Sequence, residues 1–146
     1  MNKKNLATVT IVAAAVAAYF FRENAPGDHP GSAQADPPRG AAIVQVAMPA
    51  TLSETARMGQ RAFDAKCASC HGADAAGQKG VAPPLIHKIY EPGHHADMSF
   101  LMAAQRGVRS HHWPFGDMPP VEGVTDADVK MIVRYIREVQ QVNGIF

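Results

Sequence analysis

The residues with the clearest chemical potential are two cysteines and a histidine in one short run, Cys67-Ala68-Ser69-Cys70-His71. The two thiols stand three residues apart, and the imidazole directly follows the second thiol. Two thiols at this spacing can form thioether bonds to the two vinyl groups of a haem, and the imidazole can then bind the iron. The run therefore predicts one covalently attached haem, held by Cys67 and Cys70, with His71 as an iron ligand.

Other uses of a C-x-x-C pair fit the sequence less well. A four-ligand structural zinc site needs a second pair of ligands, whereas the chain has only two cysteines and both lie in this run. A thioredoxin-like redox pair stands in a βαβ pattern, but Cys67 follows a stretch with helical periodicity. A plain structural disulfide would leave His71 without a role. Haem attachment is the interpretation that uses all three side chains.

Composition limits the protein to one small domain with additional segments. The chain has 146 residues, 47% of them hydrophobic, and a formal net charge of +1. A nearly neutral chain is not typical of a nucleic-acid-binding protein, so we expect no nucleic-acid partner. A haem at the centre would add a large apolar body to the limited core that a short chain can build.

The first 22 residues have the layout of a membrane anchor or a secretory signal peptide. Lys3 and Lys4 precede an uncharged run, Asn5 to Phe21, and Arg22 ends it. A run of 17 residues is near the lower limit for spanning a bilayer. We favour an uncleaved anchor with a cleaved leader as the alternative, and in both cases the rest of the chain lies outside the cytoplasm.

Residues 23–50 have the composition of a linker, and residues 51–146 that of the folded domain. The linker is rich in proline, alanine and glycine, which cannot bury enough surface to fold alone. Within it, residues 43–46 (Ile-Val-Gln-Val) are apolar enough to dock on the domain. The domain would then be tethered flexibly, with part of the tether ordered.

Helical patterns cover the domain. Thr51 and Glu54 form an S/T-x-x-E capping box that predicts a helix from near Leu52 to Lys66. Its predicted inner face comprises Ala56, Gly59, Phe63 and Cys67. A short helix is expected after Asp97 as its cap and before Gly107 as its stop. No alternating strand is convincing, so the domain is predicted to be all-α.

The last predicted helix is the most regular. Thr125 and Asp128 form a second capping box, and Asn143-Gly144 is a stop signal. Between them an apolar stripe repeats at helical spacing: Val129, Ile132, Val133, Ile136 and Val139. Arg134 and Arg137 lie off that stripe and are expected to be solvated or to pair locally.

Two proline-bounded loops follow the cysteine motif. Pro83 and Pro84 offer carbonyls without amide protons, and a ligating histidine generally donates its second ring N–H to such an acceptor, although a simple stiff turn explains the prolines equally well. Met118 stands between Gly116 and Pro119-Pro120, in a loop rather than on a packed helix face. A methionine in that setting is a reasonable sixth ligand for the iron.

Taken together, these motifs resemble the class I c-type cytochromes of bacteria. The resemblance rests on Gly59 and Phe63 ahead of the cysteine motif, then on Pro83-Pro84-Leu85, Met118-Pro119-Pro120 and Tyr135, over about residues 51–141. It implies a cytochrome c fold in which the N- and C-terminal helices cross, with Gly59 packed near Tyr135. It also implies His71 and Met118 as the two axial ligands and the Pro83 carbonyl as the acceptor for His71.

A density of histidines departs from the plainest pattern of that family. His87, His94, His95, His111 and His112 all lie between the proline loop and Met118. A second metal site, or a haem ligated by His112 in place of Met118, therefore stays open beside the simpler expectation that these residues contact propionates or solvent. Trp113 and Arg109 are candidates to hydrogen-bond the haem propionates.

A haem with two protein ligands has no open coordination position, so its iron can only change between the ferrous and ferric states. We therefore expect a single-haem electron carrier and no enzyme. The charge layout of the leader, together with the bacterial resemblance, leads us to expect the haem domain on the periplasmic side of a bacterial inner membrane, or free in the periplasm if the leader is cleaved. Expected partners are a membrane dehydrogenase, a cytochrome complex or a terminal oxidase. The first alternative is a fixed subunit of such a complex. The second is a haem sensor or peroxidase, which would need the sixth ligand to leave the iron.

Overall fold

A computed structural model describes residues 36–146, and residues 37–146 form one compact unit. Four helices follow one another: α1 (Glu54–Lys66), α2 (Ala68–His71), α3 (Asp97–Arg106) and α4 (Asp126–Val142). Two single 3₁₀ turns, Ala73–Ala75 and Lys88–Tyr90, lie in the connections. The described residues contain isolated β-bridges but no strand. The prediction of a helical domain is confirmed for this part of the chain.

The helices α1 and α4 cross in direct backbone contact at Gly59. A Cβ atom added at Gly59 would lie 1.9 Å from the carbonyl oxygen of Met131, which no real side chain tolerates. Beside the crossing, the rings of Phe63 and Tyr135 pack with centroids 5.7 Å apart, and both residues are fully buried. The glycine is therefore required because it lets the two helix axes approach closely enough for these rings to meet.

The helix α4 is the centre of the core, and its predicted features are confirmed. Thr125 accepts a hydrogen bond from the Asp128 amide, and the Asp128 carboxylate accepts from Thr125 in return, which completes the capping box. The whole predicted stripe is buried: Val129, Ile132, Val133, Ile136 and Val139. One side of the stripe packs on α1, and the other side contacts Leu101 and Ala104 of α3.

The predicted start of α1 was wrong by two residues. Ser53, not Thr51, is the N-cap, and its hydroxyl accepts from the Ala56 amide at 3.2 Å. The carboxylate of Glu138, on α4, then accepts from the Ser53 amide at 2.9 Å and from its hydroxyl at 2.7 Å. In a local capping box, the side chain of the third helical residue accepts from the N-cap amide. Here the distant Glu138 carboxylate accepts from that amide instead.

The predicted cap of α3 was also wrong. Ala96 is the N-cap residue and makes no side-chain cap, whereas Asp97 is the first residue inside the helix. There Asp97 accepts from Arg137 at 2.8 Å. Its negative charge at a helix N-terminus is still favourable through the helix dipole.

Arg137 was expected to be solvated or locally paired. It pairs locally with the Gln140 side chain at 2.7 Å, but the expectation of a solvated side chain was wrong. Its side chain is only 12% exposed. Its guanidinium donates to the carbonyls of Tyr90 at 2.7 Å and of His95 at 2.6 Å, more than forty residues away in sequence. Arg134 behaves as expected, pairing with Glu138 one turn away. Arg137 therefore fastens the segment before α3 to the last helix.

We expect Arg137→Leu to lower the free energy of unfolding by about 2 to 3 kcal/mol, because the part-buried carbonyls of Tyr90 and His95 lose a charged donor. The matched control is Arg134→Leu, which removes a solvent-exposed arginine (57% exposed) from its pair with Glu138 and should change stability by no more than about 0.5 kcal/mol. Chemical denaturation of the haem-loaded proteins measures both. Equal losses in the two variants would contradict this role for Arg137.

Part of the segment assigned to the linker packs on the domain. The amides of Ile43 and Val44 donate to the carbonyl of Ala76 at 3.1 and 3.2 Å. Farther along, Ala47 exchanges two hydrogen bonds with the Asn143 side chain at the end of α4. The docking expected for residues 43–46 is therefore present, and it extends the ordered body toward Pro37.

The predicted anchor at residues 1–22 lies outside the described residues. Within residues 36–146, no helix is long and apolar enough to cross a membrane.

Candidate functional site

The cysteine motif folds as one helical turn that continues from α1. The Cys67 amide donates to the Phe63 carbonyl at 2.7 Å, and the His71 amide donates to the Cys67 carbonyl at 2.9 Å. Residues three apart lie on the same face of a helix, so the side chains of Cys67 and Cys70 share a face. Both thiols are free; Cys67 is half-buried and Cys70 is exposed.

The electrostatics of Cys67 argue against a reactive redox thiol. Burial, with a smaller contribution from Cys70, raises the pKa of Cys67 to about 11. Thiols of disulfide-exchange enzymes show the opposite shift, since their chemistry needs a thiolate near neutral pH. The raised pKa keeps Cys67 as a neutral thiol near pH 7, which does not favour disulfide exchange at this position.

His71 is buried and has a fixed ring orientation. Its side chain is 8% exposed, and Nδ1 lies 2.9 Å from the carbonyl oxygen of Pro83. A carbonyl can only accept, so Nδ1 carries the proton and Nε2 keeps its lone pair. Burial lowers the pKa of His71 below its ordinary value, although the bond to Pro83 opposes the shift. The imidazole is therefore neutral near pH 7 and offers Nε2 to a metal.

Backbone hydrogen bonds hold both ends of the loop that carries Pro83. The Gly77 amide donates to the His71 carbonyl at 2.7 Å, and the Leu85 amide donates to the Ala75 carbonyl at 2.9 Å. Gly77 has a φ of 72°, and a Cβ there would lie 2.4 Å from the Pro84 nitrogen, so only glycine fits. These contacts hold the Pro83 carbonyl at the His71 ring.

Gln78 is a positioning residue that the sequence analysis missed. Its side-chain amide donates to the carbonyls of Ala68 at 3.3 Å and Ser69 at 2.8 Å, inside the cysteine motif. The Ala68 carbonyl also accepts from the Gly72 amide at 2.9 Å, whereas the Ser69 carbonyl is one of the last in a short helix, where carbonyls need partners from outside the helix. A glutamine in a glycine-rich loop has no spacing signal, so only the folded loop reveals this contact.

Met118 lies on a second loop that closes back on α3. Its backbone forms a two-residue antiparallel bridge with Val108, with both N–H···O distances at 2.9 Å. Gly107, with a φ of 72°, lets the chain pass the Met118 carbonyl, which would lie 2.4 Å from a Cβ at that position. The Met118 side chain is half-buried. Its backbone is therefore fixed, unlike that of a methionine in a free loop.

The other predicted contact residues differ in their placement. Trp113 packs edge-on against His87, with ring centroids 5.2 Å apart, and its Nε1 is buried without a hydrogen-bond partner of normal geometry. Tyr90 faces the same indole N–H, and burial raises its pKa to about 12. Arg109 is exposed, and its carbonyl accepts from His111 at 2.8 Å. Of the two candidates for haem propionates, only Trp113 offers a buried donor.

The five histidines divide into two groups. The Nδ1 of His87 accepts from the Ile89 amide at 3.2 Å, so this residue caps a 3₁₀ turn. The other group contains His94, His95 and His112. One ring nitrogen of each lies within 4.8 Å of one ring nitrogen of each of the others. His111 adjoins them, with its ring 4.2 Å from that of His112. Desolvation by the neighbouring groups, followed by the charges of His111, His95 and His94, lowers the pKa of His112.

These features fit a covalently bound haem. Two unpaired thiols share a helical face, a neutral buried imidazole has one nitrogen bonded to a carbonyl, and the indole N–H of Trp113 is buried without a hydrogen-bond partner of normal geometry. Haem provides two vinyl groups, an iron and two propionates, which match these three kinds of group.

Comparisons with known proteins give the family. Residues 56–140 match the family model described as Cytochrome c, which is more than half of the chain. No curated protein and no solved structure matches the chain. The match begins at the first buried residue of α1 and ends on the last buried residue of α4, so it spans the helix crossing, the cysteine motif and both loops. The chain belongs to the cytochrome c family, and it is a c-type cytochrome that binds haem c covalently.

Proposed function

We propose that this cytochrome is a single-haem electron carrier whose iron is ligated by His71 and Met118. When bound, haem supplies an iron that gains and loses one electron. The chain has one C-x-x-C-H motif, which supports one haem. The observation that carries the proposal is the His71 ring, whose Nδ1 bonds to Pro83 and whose Nε2 stays available beside the two thiols.

The role of the protein is to keep both axial ligands in place. The Pro83 carbonyl prevents the His71 ring from rotating and increases the basicity of Nε2. The Val108–Met118 bridge holds the backbone of the methionine. With His71 and Met118 both bound to the iron, no position would remain for oxygen or peroxide, which would favour electron transfer over catalysis. A thioether ligand also favours the ferrous state relative to a second imidazole.

We also propose that the chain is anchored in a bacterial inner membrane by residues 1–22, with the haem domain in the periplasm. The support is the sequence layout of Lys3-Lys4 before an uncharged run. A membrane dehydrogenase, a cytochrome complex or a terminal oxidase would then be the redox partners. Fractionation of cells that express the full chain tests the anchor: the haem protein should stay with membranes after a salt wash and leave them only with detergent.

A potentiometric titration with optical detection tests the proposed function. We expect one reversible one-electron transition, and we expect carbon monoxide to leave the spectrum of the reduced wild-type protein unchanged. Stoichiometric carbon monoxide binding by the wild type would instead show an open or labile position, as in a sensor or peroxidase.

Met118→Ala should open one axial position. We expect the reduced variant to bind one carbon monoxide per haem, where the wild type binds none, and its reduction potential to fall. The matched control is Met102→Ala on α3, an exposed methionine (43% exposed), which should keep the wild-type spectrum and potential. A Met118→Ala protein with an unchanged spectrum would mean that the sixth ligand is another residue.

A further inference from the structure

A second group of possible metal ligands lies outside the haem-attachment motif. His94 and His95 are in the turn before α3, and His112 is in the loop that leads to Met118. One ring nitrogen from each lies within 4.8 Å of the other two. Their spacing in sequence gives no metal-binding motif, since the third histidine follows the pair by seventeen residues. The fold alone brings them together.

We propose that His94, His95 and His112 form a binding site for a late first-row divalent transition-metal ion, separate from the haem iron. Imidazole nitrogen is a preferred ligand of Cu²⁺ and Zn²⁺, and Cu²⁺ binds tightest in that series. Three histidines with an open fourth position are a known arrangement for a labile or reactive metal rather than a closed structural one.

The distances match such an ion. Zinc–nitrogen bonds of about 2.0 to 2.1 Å in a tetrahedron place the ligating nitrogens about 3.3 to 3.4 Å apart. The Nε2 atoms of His94 and His112 are 3.4 Å apart. The remaining separations are at most 4.8 Å, and rotation of the exposed His94 and His112 rings about their side-chain bonds would shorten them.

The ring of His95 has the orientation that a metal-bound histidine needs. Its Nδ1 lies 2.6 Å from the carbonyl oxygen of Ile89, so Nδ1 carries the proton and Nε2 is the free nitrogen. Metal-bound histidines almost always donate their other ring N–H to such an acceptor. His111 shows the same feature, with Nδ1 at 2.8 Å from the Arg109 carbonyl, and is the nearest candidate for a fourth ligand.

Both loops are held independently of any metal. The amides of His94 and His95 share the Glu91 carbonyl, at 3.0 and 2.8 Å. The His95 carbonyl accepts from Arg137. In the other loop, the Asp117 carboxylate accepts from the Ser110 amide at 2.8 Å. The ligands are therefore preorganised, which reduces the entropy that binding must overcome.

The cluster is accessible from solution, and its contacts hold the His112 ring against His94 rather than leaving it free to bind the haem iron. His94 and His112 are exposed, and His95 is half-buried. The Nε2 of His112 faces that of His94 rather than standing free. A haem with His112 as an axial ligand would need to break this contact, so the proposed site and haem ligation by His112 exclude each other.

The test uses the full-length, haem-loaded protein without an affinity tag. Zn²⁺ is titrated in competition with a chromophoric chelator, and Cu²⁺ is followed by electron paramagnetic resonance. We expect each metal, tested separately, to bind at one ion per chain, and we expect nitrogen hyperfine structure in the copper spectrum. His94→Ala and His112→Ala should each weaken binding at least about tenfold, since loss of even an outer partner costs that much.

The control is His87→Asn, which removes an imidazole outside the cluster and retains a side chain able to cap the same turn. Its metal affinity should equal that of the wild type. Optical spectra of the haem should be the same in all four proteins. Absence of stoichiometric binding, or equal binding by His94→Ala, His112→Ala and wild type, would overturn the site. A changed axial spectrum in His112→Ala would assign that residue to the haem and also overturn it.

Discussion

Replacing Cys67 and Cys70 together with alanine should abolish covalent haem attachment. No other cysteine exists in the chain to form a thioether bond. Haem held only by axial ligands leaves a protein that is unfolded in detergent, whereas thioether bonds survive denaturation. We therefore expect the double variant to show no haem stain on a denaturing gel, and each single variant to keep one thioether bond and a shifted spectrum.

Ser69→Ala is the matched control for that experiment. Ser69 is exposed within the same motif, and its carbonyl, rather than its hydroxyl, accepts from Gln78. The variant should therefore stain as strongly as the wild type. Haem that remains on the double cysteine variant after denaturation would contradict attachment at Cys67 and Cys70.

Gly59→Ala should strongly destabilise this protein. The new Cβ would lie 1.9 Å from the Met131 carbonyl oxygen and 2.4 Å from its carbon, both backbone atoms that cannot rotate away. The helices α1 and α4 must therefore separate. We expect a loss of about 3 kcal/mol or more in the free energy of unfolding, seen as a fall of about 10 °C or more in Tm.

Gly93→Ala separates this steric effect from the general effect of replacing a glycine. Nothing lies within 4 Å of a Cβ at Gly93, and its φ is not positive. Its stability should change by no more than about 1 kcal/mol. Thermal unfolding of the two haem-loaded variants makes the comparison. A Gly59→Ala protein as stable as Gly93→Ala would mean that the helices do not cross as closely as described.

The sequence predicts the local features of this fold well. The capping box of Thr125 and Asp128 and the apolar stripe that follows it are both short-range patterns, and the structure confirms them. The cysteine motif has the same property, because its chemistry needs residues within one helical turn. Features of this kind depend on neighbours in sequence, so sequence reasoning can find them.

Predictions failed where a distant residue decides the local structure. Ser53 caps α1 in place of Thr51 because Glu138, eighty-five residues away, bonds to its amide and hydroxyl. Arg137 is drawn inward by carbonyls at Tyr90 and His95. Neither partner has any relation in sequence to the residue it fixes. Helical periodicity places Arg137 off the stripe but cannot tell what covers that side of α4.

The histidines show the same limit for the candidate sites. Sequence alone grouped five of them between the proline loop and Met118, without distinguishing their roles. In the fold, His87 caps a 3₁₀ turn. His94 and His95 lie next to His112, because the turn before α3 meets the loop that leads to Met118. Gln78 went unnoticed for a related reason: its acceptors are main-chain carbonyls, which have no residue signature.

The most direct test of the central claim is the visible spectrum of the ferric, full-length, haem-loaded protein. If His71 and Met118 are the axial ligands, a weak sulfur-to-iron charge-transfer band appears at the red end of the visible range. It should vanish in Met118→Ala and persist in His112→Ala. A wild-type spectrum of a six-coordinate haem without that band would contradict the methionine ligand and the electron carrier that depends on it.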